Sequence, residues 1–295
     1  MFAVEARGLV KRFGDAVAVD GVGLAVPTGA IYGVLGPNGA GKTTTLRMLL
    51  GIIDPDAGER RVLGSDDPLR VSAEVGYLPE ERGLYPGMSA REAIAFMGTL
   101  RGLSLAEGRA RASALLEEHG LPVDRPIRAL SKGMAQTVQL LATVVHGPRL
   151  LVLDEPFSGL DAINQGRLER LIRAQAADGV TILFSTHVIA HAERLCERIA
   201  IIARGRVCFE GTVEEARGRL PSRVRLVTRR SDGGWRGLLP PETVVDDGVW
   251  SFDLPPRGVE SLLTALIESG AGIESLSIER PGLHDAFVAI AGEAR

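Results

Sequence analysis

Three short polar runs in this chain have residue types and spacings that suit phosphate chemistry. The first, Gly36-Pro37-Asn38-Gly39-Ala40-Gly41-Lys42-Thr43, with Thr44 behind it, joins a glycine-rich loop to one ammonium and adjacent hydroxyls. Glycines let a backbone curl until several N–H groups face one anion, and a following helix adds its positive end. Lys42 then stands where it can reach β- and γ-phosphates, and the Thr43 hydroxyl where it can hold Mg²⁺. The second run, LLVLDE from Leu150 to Glu155, delivers two acids at the end of an apolar stretch. Asp154 suits a Mg²⁺ anchor, directly or through water. Glu155, one residue on, suits a general base for a water attacking the γ-phosphate, a role worth about 10²–10⁴ in rate. The third run, LSKGMAQ from Leu130 to Gln136, opens with an N-cap serine, Ser131, followed by Lys132 and a glycine, Gly133, that allows close backbone approach. A helix over about 132–146 would aim its positive end at an anion.

His187 follows the apolar run VTILFS and has three readings. It can touch the γ-phosphate and the base, serve structurally, or pair on a metal with His191 four residues on. The metal reading lacks a glutamate after His187 and a third ligand.

The elements needed to position these groups are legible. AIYGVL over 30–35 reads as a buried strand before the glycine loop, and the run with Leu46, Leu49 and Leu50 as the helix after it. Short β segments precede them at 2–10 and 16–26. From about 89 to 146 the pattern is helical, with Ile94 and Met97, Leu115 and Leu116, then Met134, Val138, Leu141 and Val145 at three- and four-residue steps. Strand character returns at 150–153 and 180–185 around a helix over about 162–177. Alternating strands and helices predict an α/β fold with a mostly parallel sheet. Beyond Pro221, alternating strands RVRLV, VWSFDL and IESLSI accompany two amphipathic helices. The first carries Val259, Leu262, Leu263, Leu266 and Ile267, and the second Leu283, Ala286, Phe287 and Ile290. We therefore expect a main unit over 1–218, with a helical subdomain at about 87–147, and a small α/β unit over 219–295.

Composition narrows the partners. A net charge of −3 gives no general attraction to a phosphate polymer, so nucleic acid is not expected as a partner. No apolar run approaches the ~20 residues of a membrane-spanning helix, and the N-terminal residues lack a cleavable signal pattern; a cytoplasmic protein is expected. Cys196 and Cys208 form no metal spacing and suit packing. All but three of the 34 basic residues are arginine, and the three lysines, Lys11, Lys42 and Lys132, lie in or beside the runs that carry the chemistry. A basic stretch from Arg204 to Arg230 is diluted by Glu210, Glu214 and Glu215 and reads as a solvated face.

Taken in order, GPNGAGKTT, LSKGM, LLVLDEPFSGLD and STH resemble the Walker A, signature, Walker B, D-loop and H-loop elements of ATP-binding cassette (ABC) proteins, over about residues 1–218. The resemblance implies a P-loop NTPase cassette with a mostly parallel core, an antiparallel β subdomain and a helical subdomain, which binds ATP with Mg²⁺ and hydrolyses it. It also implies two cassettes head to tail, a homodimer or a heterodimer with a related chain. Ser131, Lys132 and Gly133 would close over ATP held by the partner, with Ser158 to Asp161 lining the interface. Phe13 in KRFG resembles the adenine-stacking aromatic; a core phenylalanine is the alternative. Two positions depart from the family pattern: LSKGM stands for LSGGQ, and Glu80 stands where a Mg²⁺-contacting glutamine is usual. Glu80 either contacts Mg²⁺ or turns to solvent. YLPEERGLYP, LSKGM and the C-terminal GLHDAFVAI most resemble ATP-binding subunits of ABC-2-type exporters. That implies a separate transmembrane permease, docking near the helical insert and the Glu80 to Pro86 loop, and attachment to the inner face of the cell membrane. The C-terminal unit is expected to support the dimer or regulate it. A soluble ABC-type ATPase of translation or DNA maintenance is the rival reading.

Overall fold

The computed structural model describes residues 1–81, 83–230, 233–255 and 258–293. In chain order they form β1 (Phe2–Phe13), β2 (Ala16–Pro27), β3 (Ile31–Leu35), α1 (Lys42–Leu49), β4 (Ala57–Val62), β5 (Val75–Leu78), α2 (Ala90–Thr99), α3 (Leu105–Glu118) and α4 (Lys132–Val144). Then follow β6 (Leu150–Asp154), α5 (Ala162–Ala177), β7 (Thr181–Thr186), α6 (Ile189–Leu195), β8 (Arg198–Ala203), β9 (Arg206–Thr212) and α7 (Val213–Arg217). The remainder holds β10 (Arg223–Thr228), β11 (Val244–Asp246), β12 (Val249–Asp253), α8 (Glu260–Glu268), β13 (Ile273–Glu279) and α9 (Leu283–Glu293). Contacts divide the chain into two compact units, Met1–Val213 with the segment from Ile290, and Glu214–Ala289.

The first unit is built on a six-stranded sheet in the order β5-β6-β7-β3-β8-β9. Its first five strands run parallel, and β9 returns antiparallel to β8. Every residue of β3, β6 and β7 is buried, which is why these strands are mostly apolar, with polar residues only at their ends: a parallel strand is covered on both faces. The β8–β9 turn places Arg204 and Gly205 at φ 51° and 77°, the left-handed pair that a tight hairpin requires. A second, antiparallel sheet has the order β2-β1-β4, and shares one apolar core with the inner side of the parallel sheet through Leu9, Val22, Val34, Leu46 and Leu183.

The helical segment is the block α2, α3 and α4. Ser89 caps α2 by accepting from the Glu92 amide, and Ser104 and Glu107 form a reciprocal capping box on α3. Ile94, Leu116, Val138 and Leu141 are completely buried, in agreement with the three- and four-residue spacing.

The second unit is a four-stranded antiparallel sheet, β11-β12-β10-β13. Val224, Leu226, Trp250 and Phe252 cover one face, joined by Trp235, Val259 and Leu266. Trp235 meets Trp250 edge-on at 5.0 Å between centroids. Ile267 is 67% exposed, so it leaves the apolar face expected of it. Val259, Leu262, Leu263 and Leu266 already complete that stripe, and position 267 lies a further 100° around the helix.

Candidate functional site

The glycine loop follows β3, an interior strand of the parallel sheet between β7 and β8, and its shape is enforced by neighbours. A Cβ on Gly36 would stand 2.2 Å from the Ile202 carbonyl oxygen, and one on Gly41 would stand 2.5 Å from that of Ala18, with φ already at 100°. Turn and strand backbone thus close on the loop from both sides, and only glycine fits. Gly41 is also the N-cap of α1, which has neither a side-chain cap nor an acid in its first turn; the helix itself supplies no carboxylate to offset the partial positive charge at that end. Pro37, Asn38 and Gly39 are exposed, Ala40 is buried, and Thr43 and Thr44 are half-buried. Lys42 is 6% exposed and folds back, donating from Nζ to the Gly36 carbonyl at 2.8 Å and the Pro37 carbonyl at 3.1 Å.

The two acids stand beside this loop. Asp154, the last residue of β6, is 1% exposed. Its Oδ1 accepts from Thr43 Oγ1 at 3.1 Å and from Ser185 Oγ at 2.6 Å. Its Oδ2 is buried and has no hydrogen-bond partner among the described residues. A buried, unpartnered carboxylate oxygen next to a threonine hydroxyl is a hard-oxygen donor set. It fits Mg²⁺, which takes one or two protein ligands and completes its shell with phosphate oxygens and water.

Glu155 follows with φ 47°, a left-handed conformation that costs a non-glycine residue on the order of 1–3 kcal/mol and is held only where the surroundings impose it. Here its amide donates to Ser185 Oγ at 3.0 Å. The bend places Oε1 3.3 Å from Lys42 Nζ, an ion pair without hydrogen-bond alignment. Oε2 lies 2.9 Å from His187 Nδ1 and accepts from the His187 amide at 3.4 Å. The carboxylate is 7% exposed, suspended between an ammonium and an imidazole. Ser185, which sequence reasoning missed, organises both acids. It pairs directly with Asp154 across β6 and β7, and its position two residues before His187, at the end of an apolar run, was the available signal.

His187 and His191 do not converge. His191 is buried, with Nδ1 3.2 Å from Glu169, and no group of three His, Cys, Asp or Glu residues suited to a metal ion occurs among the described residues. Both cysteines are free. Phe13 ends β1 opposite Ala16 and is 52% exposed, so the core alternative does not hold. The Lys11 ammonium stands 5.9 Å from its ring centroid and is fixed by the Asp54 carbonyl and Asp56, each at 2.8 Å. The Lys11 hydrogen bond, aided by the Arg12 amide, holds the Asp56 carboxyl below its usual range. Glu80 is exposed just past β5. Leu78 pairs with Leu153, so the chain leaves β5 level with the two acids.

The LSKGM run is packed against the segment after Glu155. Ser131 caps α4, its Oγ accepting from the Met134 amide at 3.3 Å; Ser131 and Lys132 are exposed and Gly133 is buried. Asn164 fills the space where a Gly133 Cβ would lie, 2.3 Å from its side chain. Asp161 caps α5 and holds Asn164, accepting from its amide at 2.9 Å and from its Nδ2 at 3.0 and 2.9 Å. Lys132 Nζ covers Gly159, where a Cβ would come within 2.1 Å, and Gln136 Nε2 donates to the Pro156 carbonyl at 3.1 Å. These contacts join the run to residues 156–164 rather than to the glycine loop of the same chain.

Residues 19–158 match the family described as ABC transporter. An uncharacterized ABC transporter ATP-binding protein of Bacillus subtilis, YhaQ, is 36% identical over 95% of this chain and 95% of its own. The daunorubicin/doxorubicin resistance ATP-binding protein DrrA of Streptomyces peucetius is 36% identical over 98% of this chain and 92% of its own. A Nod factor export ATP-binding protein I of Ralstonia nicotianae is 40% identical over 71% and 67%. Among solved structures, an ATP-binding subunit of an ABC transporter is 32% identical, with a TM-score of 0.67 over 74% of this chain and 92% of that one. A loop that fits a polyphosphate, two acids at the end of β6 in the same sheet and full-length relatives lead to one conclusion: the chain belongs to the ABC transporter family, as an ATP-binding subunit that hydrolyses ATP.

Proposed function

We propose that the chain supplies the energy of an exporter, as one of two cassettes that clasp ATP between them and drive a separate transmembrane permease. The observation that carries the exporter reading is the match to drug-resistance ATP-binding proteins along nearly the whole chain, both compact units included. Cassettes of this family work as dimers and with transmembrane subunits. Homodimer or heterodimer, this chain would lend Ser131, Lys132 and Gly133 to the nucleotide of its partner, a reading supported by the exposure of Ser131 and Lys132 at the start of α4 and by the packing of the run on residues 156–164.

Within one chain the residues divide the work. Backbone N–H groups from Asn38 to Thr44 and the positive end of α1 receive the phosphates, and Phe13 offers its ring to the adenine. A triphosphate competes with the Gly36 and Pro37 carbonyls and with Glu155 for the Lys42 ammonium. Drawing Lys42 away frees Glu155 Oε1 to accept a proton from the attacking water, while His187 holds Oε2. Thr43 Oγ1 and Asp154 Oδ2 would hold Mg²⁺, with Glu80, exposed just past β5, either joining them or turned to solvent. When bound, the ion neutralises charge on the phosphate oxygens.

No helix among the described residues is long and apolar enough to cross a membrane, so transport needs another polypeptide. An apolar depression of about 160 Å³, lined by Leu49, Leu50, Ile52, Leu69, Tyr77 and Arg101, lies between the sheet layers and the helical segment. Ile52 and Leu69 are 56% and 65% exposed there. It is the surface on which the permease would dock, with a peripheral location on the inner face of the membrane; Arg82, in the Glu80 to Pro86 loop expected to take part, lies outside the described residues.

The test is purification of the tagged chain from detergent-solubilised membranes. A multi-span protein should accompany it in stoichiometric amount. Recovery with ribosomes, nucleic acid or nothing would overturn the exporter reading and favour a soluble ATPase.

A further inference from the structure

His191 is a buried imidazole that the hydrolytic scheme does not use. It is 2% exposed and lies on α6, which begins just after His187. Its ring stacks on that of Phe157, with centroids 4.0 Å apart and planes 12° from parallel. Phe157 in turn meets Phe184 of β7 edge-on at 6.1 Å. On its other side His191 Nδ1 lies 3.2 Å from Glu169 Oε1 on α5. Arg194 donates to the same oxygen from Nε at 3.0 Å and Nη2 at 2.6 Å, and Arg173 donates to the Arg194 carbonyl.

Phe157 stands two residues beyond Glu155, and His191 four beyond His187. The stack therefore ties the loop that follows β6 to the helix that follows β7, the two segments whose separation sets the 2.9 Å contact between Glu155 Oε2 and His187 Nδ1. With only seven residues, α6 is too short to hold its place by its own hydrogen bonds. Burial of Ile189, Ala192 and Leu195 seats it on the core, and on the face toward Phe157 and α5 its placement comes from the stack and from Glu169. We propose that His191 is a positioning residue for hydrolysis, whose stack on Phe157 holds His187 against Glu155 and so sets turnover without touching nucleotide. This rests on the assignment of Glu155 and His187 to the γ-phosphate.

Steady-state ATPase of the full chain, with Mg²⁺ and varied ATP, tests it. His191→Ala is expected to lower kcat about tenfold, since misplacement of about 1 Å at a reacting centre costs up to ~10². KM for ATP should stay within about twofold, because the phosphate loop is untouched. His191→Phe keeps the stack and leaves Glu169 paired with Arg194; it should return to within about threefold of the parent kcat. His191→Gln keeps a bond to Glu169 without the stack and should stay low. Phe157→Leu combined with His191→Ala should be no slower than the worse single variant, as expected of two residues that act through one contact.

Parent turnover in His191→Ala, an equal rise in KM and fall in kcat, or His191→Phe as slow as His191→Gln would each overturn the proposal. If His191→Ala does not fold, the Phe and Gln variants carry the comparison. Glu155→Gln in the same assay separates the two levels of inference. Activity retained there would sink the assignment of Glu155. Activity lost there with His191→Ala at full rate would sink only the role of His191.

Discussion

Replacing Glu155 by Gln preserves side-chain volume at a site 7% exposed and removes one charge. The Lys42 ammonium loses its 3.3 Å ion pair but keeps two carbonyl acceptors. It is therefore not left bare, and the fold should lose about 1 kcal/mol rather than the ~3–5 kcal/mol of a broken buried pair. The Oε2 side keeps an acceptor for His187 if the Gln oxygen takes that position. What disappears is the proton acceptor for water, and kcat should fall about 10²–10⁴-fold, which at 1.36 kcal/mol per decade raises the barrier by about 3–5 kcal/mol. The loop, Lys42 and Thr43 are unchanged, so ATP should still bind with an affinity within about threefold of the parent. Single-turnover hydrolysis at chain concentrations above the binding constant reads the rate, and sizing chromatography in ATP and Mg²⁺ reads the assembly, which should be a stable dimer. Hydrolysis within tenfold of the parent, or a monomer at saturating ATP and Mg²⁺, would refute the reasoning.

Gly36→Ala drives a Cβ to 2.2 Å from backbone oxygen, whereas Gly39→Ala meets nothing within 4 Å and strains only a φ of 77°. Unfolding free energies from urea titration should therefore drop by about 3 kcal/mol or more for the first and about 1–2 kcal/mol for the second; equal losses would contradict the packing argument. Phe13→Ala should weaken ATP binding by about 1–3 kcal/mol, the scale of base–aromatic stacking, with Phe13→Trp close to the parent. Fluorescent-nucleotide titration measures it, and an unchanged constant would remove Phe13 from the site. Burial, then repulsion from Arg101 and Arg111, pushes His146 down to about 4 from 6.5; the Val75 backbone opposes this without reaching hydrogen-bond geometry at either ring nitrogen. The unfolded chain thus gains a proton first as pH falls, so this contribution is intact above pH 6.5 and is lost toward pH 4. Because solvent reaches this half-buried ring and screens it, the loss by pH 4.5 should be on the order of 1 kcal/mol. His146→Gln should flatten that slope in denaturation at pH 7.5 and 4.5, and parallel pH dependences would refute it.

Much of the site follows from local rules. A P-loop needs glycines where the backbone turns left-handed or approaches another chain segment, followed by lysine and threonine at a helix start, and each of those demands falls on consecutive residues. The same holds for the acids at the end of β6 and for the spacing in α4 and α5. The edge strands β4 and β5 are not legible in this way. The exposed strand β4, AGERRV, carries almost no apolar alternation, and β5 spans only four residues; both exist because neighbouring strands supply their hydrogen bonds. The contact of Lys132 with Gly159 and the filling of the Gly133 gap by Asn164 were likewise not legible, because they join separate elements.

Residue order by itself determined the phosphate loop, its lysine and threonine, and the acidic strand end, since these depend on neighbours along the chain. Tertiary structure alone decided that Ser185 pairs with Asp154, that Glu155 is bent between Lys42 and His187, and that His191 stacks on Phe157. Those relations depend on strand order and register, which arise when distant segments bury their apolar faces together and which no local pattern encodes.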